Sequence, residues 1–187
     1  MKKDIMPAIK LTIVFIVICA VIYPLILAAV GKLSPGGGKG ERVTVKGRIV
    51  GYTNIGQKFD QDKYFWSRPS AVAYNAAGSG GSNKGPSNPD YLKDVEAHID
   101  TFLRHDPGVT RVEIPSELVT YSGSGLDPDL SPGGAYVQVA RIAKVRHVSE
   151  EEVRSVVDRH IQKPFLGLFG PQKVNVLELN VALDSLE

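Results

Sequence analysis

Residues 11–30 read LTIVFIVICAVIYPLILAAV, twenty consecutive residues without a charge. At 1.5 Å per residue such a run makes a helix of about 30 Å, the thickness of a bilayer's hydrocarbon core. Lys10 and Lys32 close it at either end, where long cationic side chains reach the headgroups. Residues 1–31 are therefore expected to form an N-terminal membrane anchor with a span at about 11–30. A cleaved secretory signal is the rival reading. Its apolar region is usually about 7–15 residues long and ends at a small-x-small site; here the run is longer, and Leu27-Ala28-Ala29-Val30-Gly31 lacks a clean A-x-A. Pro24 within the run reads either as a mild kink or as a place where neighbouring membrane helices pack. Orientation is weakly marked. Lys2, Lys3 and Lys10 lie on the short side and Lys32, Lys39, Arg42, Lys46 and Arg48 on the long side, yet long domains translocate largely regardless of charge.

Beyond residue 31 the chain has 156 residues, one domain's worth and enough for a hydrophobic core. The formal charge of +2 belongs to the anchor. Setting aside its three lysines and one aspartate leaves 19 basic and 19 acidic side chains. A balanced domain lacks the electrostatic footprint of a nucleic-acid binder. The single cysteine, Cys19, lies in the apolar run, so the domain has neither a disulfide nor a thiol nucleophile, which suits either side of a membrane.

Residues 32–42, rich in glycine, read as a tether, and residues 43–187 as the domain. The alternation in VTVKGRIV, 43–50, predicts one strand. An aromatic stretch follows, with Phe59, Tyr64, Phe65, Trp66 and Tyr74. Residues 75–90, NAAGSGGSNKGPSNPD, have the composition of a linker, but a long loop in a compact domain is also a common binding element. Asn88, Pro89 and Asp90 start a helix, carried by Leu92, Val95, Ile99 and Phe102 and stopped before Pro107-Gly108. Val112 to Val119 suggests a short strand interrupted by Pro115. A second helix is expected from Ser131-Pro132, with Ala135, Val139, Ile142 and Ala143 as its apolar stripe and Arg141, Lys144 and Arg146 at its C-terminal end. Ser149 and Glu152 make a capping box for a third helix, which Lys163-Pro164 ends. The tail from Val174 reads as a short strand running into a helix. The fold class expected is a single N-terminal transmembrane helix plus one α+β (mixed α/β) domain.

Motifs that carry chemistry are scarce. Gly36-Gly37-Gly38-Lys39-Gly40 lacks the hydroxyl residue and the preceding strand of a phosphate loop. The four histidines, His98, His105, His147 and His160, have no metal-ligand spacing. No G-x-S-x-G elbow occurs. No catalytic residue and no metal site is expected. The loop from Tyr121 to Gly134, YSGSGLDPDLSPGG, keeps two readings open. Its glycine-freed amides and the following helix start could receive an anion, or it is an Asx/Pro turn leading into that helix. No lysine or arginine lies between Val112 and Val139.

Several blocks, taken together, resemble the C subunit of the Kdp-type potassium-transporting ATPase, the KdpC family. They are IGQKF at 55–59, YFWSRPSAVAYN at 64–75, SGGSNKGPSNP at 79–89, VTYSGSGLDPDLSP at 119–132, QVARIA at 138–143 and VNVLELNVALD at 174–184. They cover most of the domain in the family's order, behind a single N-terminal span. Gly133-Gly134 departs from the alanines that the family implies, and predicts a looser helix start.

The resemblance implies a small accessory subunit in the plasma membrane. Its partners would be a channel-like potassium-binding subunit and a P-type ATP-hydrolysing subunit. The chain lacks the P-type D-K-T-G-T sequence and has one span, so it is neither engine nor pore by itself. It needs no cofactor of its own; ATP enters only as part of the complex. Two mechanisms follow from the resemblance. In one, Ser122, Gly123, Ser124, Gly125 and Gln138 help bind nucleotide and raise the ATP affinity of the hydrolysing subunit, as a catalytic chaperone. In the other, the domain lies outside the cytoplasm, caps the channel-like subunit and stabilises the complex. The two conflict because ATP is not available outside, and the resemblance favours the external placement. Within 64–89, Tyr64, Trp66, Arg68, Asn75 and Asn83 are expected to contact a partner. A signal-anchored enzyme or binding domain unrelated to potassium transport is the alternative.

Overall fold

The apolar run is helical, and the helix extends beyond it. In the computed structural model, which describes residues 2–186, α1 (Lys2–Val17) passes through a π turn at Ile18–Ile22 into α2 (Tyr23–Gly31). The stretch Asp4–Gly31 is long and apolar enough to cross a membrane. The π turn has a local cause. Pro24 lacks an N–H and its ring crowds the carbonyl one turn earlier. The preceding turn widens to absorb this, and the Tyr23 N–H bonds Ile18 O. After α2 the backbone turns through Pro35–Gly38 with Gly36, Gly37 and Gly38 all at positive φ, where a side chain would be strained. The chain divides into two compact units, Met1–Arg42 and Val43–Glu187.

In the second unit, VTVKGRIV is a hairpin rather than one strand. β1 (Arg42–Val45) and β2 (Arg48–Tyr52) pair across Lys46 and Gly47, at φ 48° and 78°. Two positive-φ residues make the tight turn whose twist suits a hairpin. α3 (Pro89–His105) starts where Asn88 Oδ1 accepts from the Asp90 and Tyr91 N–H groups. It buries Ile99 and Phe102. The strand expected over 112–119 is absent. Two 3₁₀ turns, Arg111–Glu113 and Ser116–Leu118, take its place. The Thr110–Glu113 capping box starts the first turn, and Pro115, without an N–H, cannot serve a ladder.

The helix expected from Ser131 is two helices, α4 (Pro132–Tyr136) and α5 (Val139–Arg146), with Gln138 at the break. α6 (Glu150–His160) begins at the Ser149–Glu152 capping box. A small antiparallel sheet has the order β3–β5–β4, from Asp129–Leu130, Lys173–Asn175 and Ile161–Gln162. Val174 is central, facing Leu130 on one side and Ile161 on the other. Asn175 then caps α7 (Val176–Leu183) through Glu178 N–H. Phe65, Phe102, Leu130, Ile142, Val153, Val157, Val174, Leu179 and Leu183 form one core between the helices and this sheet, giving the mixed helix-and-strand domain expected.

Candidate functional site

Two long loops of unpromising composition meet in one ordered surface. The Ser122–Gly125 turn lies between residues 67–72 and 79–81. Ser122 N–H bonds Pro69 O at 3.0 Å, and Gly80 N–H bonds Ser124 O at 2.8 Å. Ser70 Oγ donates to Gly125 O at 2.6 Å, and Ser79 Oγ to Ser124 O at 2.8 Å. Gly125, at φ 67°, admits no side chain: a Cβ would lie 2.5 Å from Val72 Cγ2 and 2.7 Å from Gly80 O. Ser122 is 2% exposed and its hydroxyl accepts from Gly125 N–H at 2.8 Å. Gly123 and Ser124 are exposed. Residues 79–81 of the glycine- and asparagine-rich stretch are thus packed against the 123–125 turn, whereas 75–78 and 83–87 are exposed.

Arg68 pairs with Asp127 at 2.8 Å across this surface, while its buried Nε finds no acceptor. The Tyr74 hydroxyl donates to Arg68 O, and burial pushes that hydroxyl's pKa up to about 12. Asn75 is exposed and its side chain accepts from Ala77 N–H at 3.0 Å. Asn83 is exposed at φ 54°. Tyr64 donates to Asp184 Oδ2 at 2.9 Å, with Arg146 over its ring. A recess of about 370 Å³ runs between this surface and α3, lined by Trp66, Tyr74, His98, His105 and Tyr121 among others.

Gln138 belongs to a different cluster. It is fully buried. Its Oε1 accepts from Trp66 N–H at 2.8 Å and from Arg141 Nη2 at 2.6 Å, and its Nε2 donates to Gly134 O at 2.9 Å. Among the described residues no hydrogen bond joins it to 122–125. Gln138 sits at the break between α4 and α5, and its amide bridges the aromatic stretch at Trp66 and the α4 carbonyl of Gly134.

Arg141, expected with Lys144 and Arg146 at the C-terminal end of the second helix, is 5% exposed. Its Nε meets Asp106 at 2.8 Å, Nη1 donates to Asp62 O and Tyr64 O, and its plane lies 4.6 Å from the Trp66 ring centroid. Burial raises the Asp106 carboxyl's pKa against the downward pull of Arg141. The same burial lowers the pKa of Arg141, and Asp106 opposes that. Asn180 completes the strap: its Oδ1 accepts from Phe65 N–H at 2.8 Å and its Nδ2 donates to Phe65 O at 3.0 Å. Residues 61–66 are thereby held by side chains of three helices or their ends. Asp106 and Asn180 carried no signal of their own. Gln138 and Arg141 did: polar groups three apart, interleaved with the apolar stripe Ala135–Val139–Ile142, are candidates for a buried network.

Trp66 is half-buried, edge-on to Phe102 and His105, and donates from Nε1 to Gln61 O. Its ring therefore serves the fold. Among the described residues, no group of three or more His, Cys, Asp or Glu side chains is placed to hold a metal ion.

The family model described as K⁺-transporting ATPase, c chain, matches residues 5–185. A potassium-transporting ATPase KdpC subunit of Flavobacterium psychrophilum is 56% identical over 185 residues, covering 99% of this chain and 100% of the relative. The corresponding subunit of Bacteroides fragilis is 52% identical over 188 residues, with 99% and 98% covered. That of Caldanaerobacter subterraneus subsp. tengcongensis is 47% identical over 184 residues, with 98% and 95% covered.

Proposed function

The chain belongs to the KdpC family, the c chain of K⁺-transporting ATPases, and on that premise we propose that it acts as a non-catalytic subunit that assembles and stabilises the complex from outside the cytoplasm. The family match over 5–185 displaces the alternative of an enzyme or binding domain unrelated to potassium transport. The partners in this reading are a channel-like potassium-binding subunit and a P-type ATP-hydrolysing subunit. The N-terminal helix is retained as a span in the plasma membrane and packs beside them. The exposed rim of the 64–89 surface, with Asn75 and Asn83, faces a partner.

One observation carries the choice between the two mechanisms. Two of the side chains linked to nucleotide are committed within the domain: Gln138 is 0% exposed and Ser122 2%, Gln138 being bonded to the backbone of Trp66 and Gly134 and Ser122 to that of Gly125, which leaves only the exposed Gly123–Ser124 edge of the turn. Residues 113–138 supply no cation to a triphosphate. In this reading the Gln138 strap shapes the domain, and any influence on ATP affinity passes through subunit contacts.

Sidedness tests the proposal. Val112 is 93% exposed, so Val112→Cys in a Cys19→Ser background reports access without touching the core. An impermeant maleimide should label it in intact cells expressing the whole complex. Gly78→Cys, in open space, guards against one site being covered by a partner. Labelling of both sites only after lysis would place the domain in the cytoplasm and revive the nucleotide mechanism.

A further inference from the structure

The β4–β5 connection, residues 163–172, is KPFLGLFGPQ. Its tip exposes Phe165 by 71%, Leu166 by 75%, Leu168 by 81% and Phe169 by 64%. Single exposed apolar residues are ordinary, but four contiguous ones mark an interaction site. This tip is not slack chain. Phe165 and Phe169 form a β-bridge, and Leu166 and Gly167 turn the backbone at φ 53° and 73°.

Two features bear on what the tip enters. The first is its backbone. Phe165 N–H bonds Phe169 O, Phe169 and Leu168 N–H bond Phe165 O, and Gly167 N–H bonds Pro164 O, at 2.9–3.1 Å. With these four donors satisfied internally, less polar backbone is stranded when the tip leaves water, and the remaining groups can still reach the wet headgroup layer. The second is the distribution of side chains. No polar side chain lies between Pro164 and Gly170, so no side-chain face of the turn is kept for water. A flat protein surface would cover one side and leave the other wet. An environment that surrounds the tip suits it better.

The roots of the hairpin are cationic. Lys163 and Lys173 flank the tip, Arg159 precedes it, and no acidic residue occurs from 159 to 177. Lys173 is tied to Asp129 of the same sheet at 2.6 Å and Arg159 Nη1 donates to Ser155 Oγ on its own helix at 2.8 Å, which leaves Lys163 as the root cation for anionic headgroups. An apolar centre with a cationic collar is also the order found along the N-terminal helix, between Lys10 and Lys32. That helix supplies a bilayer, and residues 32–42 reach no further than about 40 Å even if fully extended. The membrane is therefore a tethered, high-concentration ligand for the rest of the chain.

We propose that the 163–172 hairpin is a second membrane contact. Phe165, Leu166, Leu168 and Phe169 dip into the boundary between headgroups and acyl chains, and Lys163 rests on anionic lipid. The contact would fix the domain's height and tilt above the bilayer, which a glycine-rich tether alone leaves undefined.

Full-length chain, Cys19→Ser, carrying a nitroxide at Leu166→Cys is reconstituted alone into vesicles of phosphatidylcholine and phosphatidylglycerol. Power saturation compares its accessibility to oxygen and to a water-soluble nickel chelate, with Val112→Cys as the aqueous control. The oxygen-to-nickel ratio is expected to be severalfold higher at 166 than at 112, as for a site below the phosphates. Adding Phe165→Ser and Phe169→Ser should return it to the control value. Equal ratios at 166 and 112 would overturn the proposal. So would shielding that appears only when the other ATPase subunits are reconstituted, since the tip would then seat in a protein recess. None of these outcomes bears on family membership.

Discussion

At the scale of single residues, buried amides do more than hydrophobic side chains to place the aromatic stretch. Gln138→Ala would strand the Trp66 N–H and the Gly134 carbonyl and remove one acceptor from Arg141. Each unpaired buried group costs about 1–3 kcal/mol. Urea unfolding of the full chain in detergent should show a loss of about 2–4 kcal/mol, with a changed near-ultraviolet signal from Trp66. Mg-ATP titration of the unaltered chain should show nothing tighter than about 1 mM, near −4 kcal/mol. A stability-neutral Gln138→Ala together with micromolar ATP binding would make Gln138 a ligand instead.

The neighbouring glycines show how one dipeptide holds two opposite positions. Gly133 is open, its nearest atom to an added Cβ being Ser131 Oγ at 3.6 Å. Gly134 is buried, and a Cβ there would overlap the Glu117 carboxylate, which holds Ser131 N–H and Oγ at the α4 start. Gly133→Ala should therefore stabilise by about 0.4–1 kcal/mol by narrowing the unfolded ensemble. Gly134→Ala should destabilise by about 1–3 kcal/mol through overpacking. Thermal unfolding of the two variants decides it; equal shifts of the same sign would refute the Glu117 contact.

At the scale of elements, the helix starts are where local sequence is most decisive, and they carry a pH signature. Hydrogen bonds from Ser149 hold the Glu152 carboxyl below its usual value of 4.5. Those from Thr110 do the same for Glu113. A lowered carboxyl contributes stability that is present above its unfolded pKa and lost as pH falls through its folded one. Stability should thus decline below about pH 4.5. Asp106 acts with the opposite sign: raised by burial, it favours the folded state at low pH and loses that contribution as pH rises through its folded value. Glu152→Gln should flatten the acid limb while leaving its midpoint partly set by the remaining carboxylates. An unchanged slope would mean that the capping box is not populated. The π turn before Pro24 belongs to the same scale, as one missing N–H is accommodated by widening a single turn.

At the scale of the whole molecule, the chain divides into two compact units, Met1–Arg42 and Val43–Glu187. The core of the second unit draws on residues from Phe65 to Leu183 and needs no side chain of the first. Deleting residues 1–31 should leave a chain that is soluble, folded by far-ultraviolet dichroism, and no longer recovered with the other ATPase subunits in a tagged purification. Recovery of the intact complex would show that assembly rests on the domain alone.

Local chemistry was enough to foresee the apolar helix, the α3 start at Asn88, the Ser149 capping box and the strand-to-helix tail, because each depends on residues within a few positions of one another. Where the reading went astray, a distant partner or an overlooked turn decided the outcome. Lys46-Gly47 folds an alternating run back on itself, and Pro115 denies residues 112–119 a ladder. Arg141 reads as one of three basic residues suited to a helix C-terminus; Asp106, 35 positions away, and the carbonyls of Asp62 and Tyr64 make it a buried partner instead. The linker-like composition of 75–90 could not by itself distinguish mobile chain from packed loop, since glycine permits both; the close approach of Gly81 and Gly125 to neighbouring backbone shows the packed arrangement at 80–81. By itself the sequence determined the membrane-length helix, the helix caps and the family, which are encoded in contiguous residues. Tertiary structure alone decided that Gln138, Arg141 and Asn180 face inward as a strap and that Phe165–Phe169 face outward as a tip, because the burial of a side chain is a property of what the rest of the chain places around it.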